Sequence, residues 1–200
     1  MGTAEDATKP LPLAVGGDSA PAVPELLQAC GRGDREAWAR LFDECKDHVY
    51  SLALHLSGDA TEAADIAQEV FLKVLTRLHQ FRARAQFSTW LHRVVVNTFL
   101  DRRRAARRLV PLERAAVPPA ATVPLEEALR RADTARLVAR SVRALPLKLR
   151  VPLVLRFVAG LSYDQIADVL GVPPGTVASR LSRALEALAR ALPARRDLEV

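Results

Sequence analysis

Apolar residues in the first half of the chain recur every three or four positions, the spacing that gathers them on one face of an α-helix. One such stripe covers residues 38–56 and stops at Gly58, and a second covers residues 63–78, with Asp59 or Thr61 as its predicted N-cap. The members of the two stripes are Trp38, Leu41, Phe42, Cys45, Val49, Leu52, Ala53, Leu56, and then Ala63, Ile66, Ala67, Val70, Phe71, Val74, Leu75 and Leu78. Both stripes predict long amphipathic helices.

A third helix is predicted over residues 89 to about 108, with Ser88 as its cap. Its inward positions are Leu91, Val94, Val95 and Thr98. The run 94–96 alone is compatible with a strand, but it lies between a cap and an arginine-rich helical stretch without turn residues. Since no strand-like alternation occurs elsewhere, the predicted fold class is all-α.

Prolines divide the chain into two modules. Pro111, Pro118, Pro119 and Pro124 punctuate a stretch without helical spacing, which predicts a flexible linker. The predicted organisation is a flexible N-terminal tail (1–22), a helical domain (23–108), the linker (109–124), a second helical domain (125–193) and a C-terminal tail (194–200).

The second module contains four predicted helices. Residues 125–144 form the first and residues 149–158 the second, in which Pro152 is tolerated only within the first turn. Residues 163–170 form a short third helix, and Pro173 or Pro174 opens the last one. The apolar stripe of the last helix is Val177, Leu181, Ala184, Leu185 and Leu188.

The last two helices match the pattern of a helix-turn-helix, with Gly171 where the turn needs a positive φ. The shared core positions are Ile166, Ala167, Leu170, Val172 and Val177. In such a unit the second helix enters the major groove of DNA. Its outward residues are Thr176, Ser179, Arg180, Ser182 and Arg183. The alternative is an ordinary helical hairpin with a glycine turn.

Charge is distributed unevenly over the 200 residues. The net charge is +6, but residues 1–81 carry −6, residues 82–108 carry +7 and residues 136–196 carry +8. Two basic blocks suggest a polyanion contacted at two places, and the acidic block suits a different, basic partner. Alternatively, the charges only solvate helix faces.

The sequence also predicts a reduced, cytoplasmic protein without membrane insertion. It has two cysteines, no signal-peptide pattern and no apolar run near the roughly 20 residues of a membrane span.

The first basic block interleaves aromatic residues with arginines. Phe81, Phe87 and Trp90 stand among arginines, and a polar stripe of Arg93, Asn97, Asp101, Arg104 and Arg108 follows along the helix. Aromatic rings beside cations suit unstacked, single-stranded bases. The competing interpretation makes the three aromatic residues core and the arginines solvated surface.

The outward side of the second helix carries acidic residues beside an apolar one. Asp65, Gln68, Glu69, Leu72 and Lys73 share this side. An exposed leucine among charges hints at a protein-docking surface, although a merely soluble face has the same composition.

Enzymatic and metal-binding interpretations find little support. Cys45, His48 and His55 lie on one helix without a carboxylate to close a zinc site, so a role in the helical core is favoured. His79 and His92 have no partner at a triad spacing, and no phosphate-binding glycine loop occurs. We predict no catalysis and no cofactor.

With these motifs in place, the chain resembles the sigma-70 family of bacterial RNA polymerase sigma factors, in its small extracytoplasmic-function (ECF) group. Residues 65–81 (DIAQEVFLKVLTRLHQF) resemble the family's core-polymerase-binding region, and residues 87–104 (FSTWLHRVVVNTFLDRRR) the region that melts and reads the minus-ten promoter element. Residues 145–185 resemble the domain that reads the minus-thirty-five element. The resemblance implies promoter-specific transcription initiation, with the polymerase doing the chemistry.

The resemblance also implies roles for individual residues. Docking on the coiled coil of the polymerase's largest subunit would use Asp65, Gln68, Glu69, Phe71 and Leu72. The melted non-template strand and the duplex just upstream would be held by Arg82, Arg84, Trp90, Arg93, Asn97, Arg102, Arg103 and Arg104, with a flipped base at the loop 82–86. The minus-thirty-five duplex would meet Thr176, Ser179, Arg180, Ser182 and Arg183. An anti-sigma factor is an expected partner, and in holoenzyme the protein would be nucleoid-associated.

Two departures from the family pattern bear on promoter preference. Ala83 and Arg84 stand where the loop usually has glycine and an acidic residue, and Ala178 stands where the recognition helix usually has lysine or arginine. The rival function is a free-standing helix-turn-helix regulator, which binds two symmetric half-sites as a dimer.

Overall fold

The computed structural model describes residues 22–78, 81, 86–109 and 126–192. Every regular element within these ranges is a helix, which confirms the all-α prediction. In chain order the helices are α1 (Ala22–Gly31), α2 (Arg35–Ser57), α3 (Ala60–Arg77), α4 (Phe87–Leu109), α5 (Glu126–Ala144), α6 (Leu147–Phe157), α7 (Tyr163–Leu170) and α8 (Pro174–Ala191). Apart from Ala22 and Leu109, which are helical, the predicted tails and linker lie outside the described residues.

Local capping residues set the boundaries of α2 and α3. Asp34 caps α2 by accepting hydrogen bonds from the backbone N–H groups of Glu36 (2.9 Å) and Ala37 (3.2 Å). Gly58 ends α2 in the left-handed conformation, with φ of 73°. Of the two N-caps predicted for α3, the structure selects Asp59, whose carboxylate accepts from the N–H of Glu62 at 2.8 Å.

Helices α2, α3 and α4 share one apolar core, against which α1 also packs. Val49, Leu52, Ile66, Val70 and Phe99 are all fully buried there. Burying each such side chain stabilises the fold by roughly 1.5–3 kcal/mol. Two members of the predicted stripes are instead on the surface, since Phe42 is 46% and Leu75 54% exposed. Both side chains lie at the edge of an apolar stripe that is wider than the surface covered by the neighbouring helix.

Helix α4 differs from its prediction at its start. It begins at Phe87, so Ser88 lies inside the first turn and is not the cap. Leu91, Val95 and Thr98 are buried as predicted, whereas Val94 is only half-buried. The adjacent run 94–96 belongs to the helix, which rules out a strand there.

Helix α6 begins two residues before its predicted start, at Leu147. Pro152 therefore lies in the helix interior, not in the first turn as the sequence suggested. Its ring cannot donate the hydrogen bond that would reach back to the carbonyl of Lys148. Pro152 is buried, as are its neighbours Val151 and Leu153, so its ring contributes to the apolar core.

Helices α7 and α8 form the predicted helix-turn-helix. Ser162 and Gln165 build a reciprocal capping box at the start of α7, with distances of 3.2 and 2.8 Å. Gly171 ends α7 with φ of 64°, as the turn requires, and Pro174 is the first residue of α8. Leu185, predicted to be inward, is 47% exposed. The helices α6, α7 and α8 pack on one another, and α5 packs on α8.

Candidate nucleic-acid interface and docking groove

An apolar groove of about 720 Å³ runs along the outer surface between α2 and α3. Its principal apolar walls are Trp38, Phe42, Tyr50, Phe71, Leu72 and Leu75. The rings of Phe42 and Phe71 meet with centroids 4.6 Å apart, and Leu72 is 58% exposed. Open apolar surface of this kind is typical of a protein-docking site. The residue pattern indicated Leu72 alone, and the family resemblance added Phe71. Periodicity had placed the other groove residues Trp38, Phe42 and Leu75 in stripes that face the core.

The acidic residues predicted for docking lie beside this groove on α3. Asp65 and Gln68 are exposed and Glu69 is half-exposed. The Asp65 carboxylate accepts from the Arg102 guanidinium of α4 at 2.8 Å, and Glu69 lies 3.6 Å from the same guanidinium. Glu69 also pairs with Lys73 at 2.7 Å. Two of the residues predicted for docking, Asp65 and Glu69, therefore share one ion-pair network with a predicted DNA-binding arginine.

The outward face of α4 carries the polar stripe predicted from the sequence. Arg93, Asn97, Asp101 and Arg104 are all exposed, and Asp101 pairs with Arg104 at 2.7 Å. Arg102 and Arg103 are half-exposed at the edge of this face. Arg82 and Arg84, the two predicted loop residues, lie outside the described residues.

The three aromatic residues near the start of α4 form a cluster. The ring centroids of Phe81, Phe87 and Trp90 are 5.7 to 5.8 Å apart. Phe87 is only 3% exposed, so it is a core residue and cannot stack on a base. Phe81 and Trp90 are half-buried, which leaves part of each ring at the surface. The core interpretation is right for Phe87. Stacking on a base stays a hypothesis for Phe81 and Trp90.

The residues predicted for DNA recognition lie on α8 and are exposed or partly exposed. Ser179, Ser182 and Arg183 are exposed, and Thr176 and Arg180 are partly so. The Ser179 hydroxyl donates to the Thr176 carbonyl at 3.0 Å, and the Ser182 hydroxyl donates to Glu186 at 3.1 Å. Val177 and Leu181 bury the opposite face of the same helix, which fixes the side that points outward.

The cysteine and histidine residues considered for a metal site have other surroundings. Cys45 and His48 are buried in the core, as favoured from the sequence, whereas His55 is exposed. Burial raises the pKa of the Cys45 thiol to about 12. No group of three metal-ligating side chains occurs among the described residues. His48 of α2 instead meets His92 of α4, with their Nε2 atoms 2.7 Å apart. One ring must donate this hydrogen bond and the other accept it.

We expect the His92→Gln variant to lose part of the pH dependence of stability. Burial first, and then the neighbouring His48, lower the pKa of His92 from 6.5 to about 4. Below pH 6.5 the unfolded chain therefore binds a proton that the folded chain excludes, and stability falls as the pH falls towards 4. Between pH 7.5 and 5.5 this loss amounts to about 1.4 kcal/mol.

Urea unfolding at pH 7.5 and 5.5 measures this effect as the difference between wild type and His92→Gln. His55→Gln, on the exposed side of α2, is the matched control. A pH dependence that is the same in wild type and His92→Gln would contradict a buried, neutral His92.

Models of known protein families match parts of both helical units, the first formed by α1–α4 and the second by α5–α8. The family model "Sigma-70 region 2" matches residues 41–109, which hold the groove and the polar face of α4. The model "Sigma-70, region 4" matches residues 135–188, which hold the helix-turn-helix. The ECF RNA polymerase sigma factor SigW of Bacillus subtilis (strain 168) is 32% identical over 186 residues, an alignment that covers 88% of this chain and 98% of SigW.

This chain belongs to the sigma-70 family. It is a sigma factor of the ECF group, whose role is to direct promoter-specific transcription initiation. The ECF RNA polymerase sigma-E factor of Escherichia coli (strain K12) is 33% identical over 183 residues, which cover 82% of this chain and 90% of that protein. The free-standing helix-turn-helix regulator is accordingly not favoured.

A solved structure shares the fold of this sigma factor. The sigma factor RpoE from Bartonella quintana, crystallised with the anti-sigma factor NepR, superimposes with a TM-score of 0.63 at 22% identity, and the match covers 78% of this chain and 96% of that one. Within the ranges that the structure describes, no helix of the ECF factor is both long and apolar enough to cross a membrane.

Proposed function

We propose that this ECF factor binds core RNA polymerase through the groove between α2 and α3, reads the minus-ten element with α4 and reads the minus-thirty-five element with α8. The observation that carries the proposal is the presence, on one chain, of an apolar groove with an acidic border and two separate helices with exposed arginines. The proposed domains are residues 23–108 and 125–193, joined by the linker 109–124.

The docking step uses the chemistry of the groove. An amphipathic helix of the polymerase's largest subunit, in its coiled coil, would place apolar side chains against Phe71 and Leu72. Basic residues of the same helix would meet Asp65 and Glu69, and Gln68 would add a hydrogen bond. The half-buried Phe71 and the exposed Leu72 form the apolar centre of this contact, where interfaces concentrate their binding energy.

The minus-ten step uses α4 and the preceding loop. Arg93 and Asn97 are exposed on one face of α4, with the accessible part of Trp90 one turn earlier. A flipped base of the non-template strand would stack near Trp90 and the loop that holds Arg82 and Arg84. The sugar-phosphate backbone would be held by Arg102, Arg103 and Arg104.

The minus-thirty-five step uses the start and outer face of α8. Arg183 is exposed and has the fork of donors that matches guanine in the major groove. Thr176, Ser179, Arg180 and Ser182 would meet neighbouring bases and phosphates. Ala178, which is half-buried, supplies no polar contact at its position.

The partners of the factor follow from these surfaces. They are core polymerase, duplex promoter DNA and the melted non-template strand, and the polymerase catalyses RNA synthesis. An anti-sigma factor is a further proposed partner, supported by the neighbour of like fold that was crystallised with one. The sigma factor itself would act in the cytoplasm, at the nucleoid.

Run-off transcription with purified core polymerase and a library of promoter fragments tests the proposed function. We expect initiation at a small set of fragments, only when the factor is added. Tight binding of the factor alone to a palindromic duplex, without factor-dependent initiation, would support a regulator of the helix-turn-helix class instead.

The Arg183→Ala variant is expected to relax specificity at one base pair of the minus-thirty-five element. Loss of a bidentate contact to guanine costs about 1–3 kcal/mol at that position and leaves core binding unchanged. Competitive binding of single-base promoter variants by holoenzyme measures the effect. Arg190→Ala removes the same charge from the last turn of α8 and is the matched control. Equal losses at every base pair would mean that Arg183 contacts only phosphate.

A further inference from the structure

We infer that Lys73 is a positioning residue, whose ammonium group occupies the Glu69 carboxylate and so leaves Arg102 available for a promoter phosphate. The inference rests on the proposed binding of DNA by Arg102, and it assigns Lys73 no contact of its own with polymerase or DNA. Lys73 lies on α3, one turn after Glu69, and its side chain reaches towards α4.

The ammonium group of Lys73 is anchored on α4. It donates a hydrogen bond to Oγ1 of Thr98 at 3.1 Å. Thr98 is fully buried, and its own hydroxyl proton is donated to the carbonyl of Val94 at 2.8 Å. The lone pairs of the Thr98 oxygen are therefore left to accept from Lys73. The lysine side chain is only 22% exposed, so its charge is held between α3 and α4.

Lys73 takes the closer place at Glu69. Its Nζ lies 2.7 Å from Oε1 of Glu69, whereas Nη1 of Arg102 lies 3.6 Å from Oε2. A separation of 3.6 Å is longer than a hydrogen bond, so Glu69 attracts Arg102 without bonding it. The hydrogen bond of Arg102 is made to Asp65, at 2.8 Å. Of these two carboxylates, only that of Asp65 must give up a hydrogen bond when Arg102 moves to a phosphate.

The Glu69 carboxylate can serve one inward and one outward cation, because its two oxygens offer about four acceptor sites. In the proposed docking, a basic side chain of polymerase approaches from solvent while Lys73 stays on the inward side. Without Lys73 the inward side would be open to Arg102, whose planar guanidinium suits a carboxylate. Arg102 would then be held by two carboxylates and would reach a phosphate less readily. The lysine therefore biases the competition for Arg102 towards DNA.

The Lys73→Met variant tests this role in promoter binding by holoenzyme, measured over a series of salt concentrations with core polymerase in saturating excess. We expect the affinity for promoter DNA to fall about threefold, within the range of a partly exposed ion pair. The slope of log affinity against log salt concentration should become shallower by up to about 1, because one phosphate contact is weakened. Arg102→Ala removes that contact and sets the full change in slope.

Three further variants separate positioning from a general effect of charge. Arg77→Met removes the same charge from an exposed position one turn further along α3 and should keep the wild-type slope. Lys73→Arg keeps a cation beside Glu69 and should also keep the wild-type slope. Adding Glu69→Gln to Lys73→Met removes the carboxylate that captures Arg102, so the wild-type slope should return once core polymerase is again saturating.

A substitution without any change of charge makes the same test at the anchor. Thr98→Val keeps the volume of the buried side chain but removes the oxygen that accepts from Lys73. We expect a loss of promoter affinity in the same direction as in Lys73→Met but smaller, about twofold. Thr76→Val is the matched control, because the Thr76 hydroxyl donates within α3, to the carbonyls of Leu72 and Lys73.

The outcomes distinguish the positioning role from the proposed function on which it rests. An unchanged slope in Arg102→Ala would show that Arg102 contacts no phosphate, and the DNA contact and the positioning role would fall together. A shallower slope in Arg102→Ala, with wild-type slopes in Lys73→Met and Thr98→Val, would overturn the positioning role and leave the DNA contact intact. Weaker promoter binding by Lys73→Met that Glu69→Gln does not reverse, together with lower stability in urea, would assign Lys73 a merely structural role.

Discussion

Replacing Leu72 with lysine is expected to weaken the binding of core RNA polymerase about 30-fold, because loss of a central apolar contact costs about 2 kcal/mol or more. Leu72 is 58% exposed and lies in the wall of the groove, so its side chain contributes little to the fold. The introduced ammonium group also repels the basic partner that the acidic border attracts. Fluorescence anisotropy of labelled factor titrated with core enzyme measures the change.

The matched control for this variant is Gln28→Lys. It adds the same positive charge at an exposed position of α1, away from the groove. Both variants should unfold in urea within about 0.5 kcal/mol of wild type. Core binding that weakens equally in the two variants would indicate a general charge effect and argue against the groove as the docking site.

The Phe99→Ala variant is expected to lose about 3–5 kcal/mol of unfolding free energy, the largest stability change that we predict. Phe99 is fully buried in the core shared by α2, α3 and α4, and truncation leaves a cavity there. Small domains are stable by only about 5–15 kcal/mol, so this variant would lose a large part of the stability of the helices α1–α4.

Urea unfolding followed by circular dichroism measures this loss. Phe157→Ala, at a position that is 56% exposed on α6, makes the same chemical change outside the core and should stay within about 0.5 kcal/mol of wild type. A loss below about 1 kcal/mol for Phe99→Ala would show that the site collapses around the smaller side chain.

Features encoded by neighbouring residues were predictable from the sequence. Residues 163–170 form a helix with the predicted bounds because Ser162 and Gly171 specify its two ends locally. The face of α3 that carries Asp65 and Leu72 was equally evident, because helical periodicity alone determines it.

Periodicity does not show how much of an apolar stripe a neighbouring helix covers. Phe42, Leu75 and Leu185 belong to stripes, yet each is about half exposed because the neighbour packs on the other edge. Pro152 illustrates a related limit, since the favourable burial of its ring is a property of the tertiary structure. The groove could therefore be predicted only in part.

Contacts between distant residues left no signal in the sequence. His48 and His92 are 44 positions apart, and Arg150 reaches a carbonyl 94 positions away. Arg93 and Arg150 bind backbone carbonyls of the other unit, a group that every residue type has. Because the acceptors at Asp168 and Leu56 are backbone carbonyls, the side chains at these positions do not predict the hydrogen bonds.

Because Asp65 and Glu69 belong to the proposed docking site and Arg102 to the proposed DNA site, their ion pairs would link polymerase docking to DNA binding thermodynamically. A basic helix that neutralises the two carboxylates releases the guanidinium for a phosphate, and a phosphate that takes the guanidinium leaves the carboxylates more negative. Each ligand thus raises the affinity for the other by the same factor. Since the pairs are partly exposed, that factor is at most about fivefold, or about 1 kcal/mol. On the proposed surfaces, the sigma factor therefore binds core polymerase and DNA cooperatively, through the single shared residue Arg102.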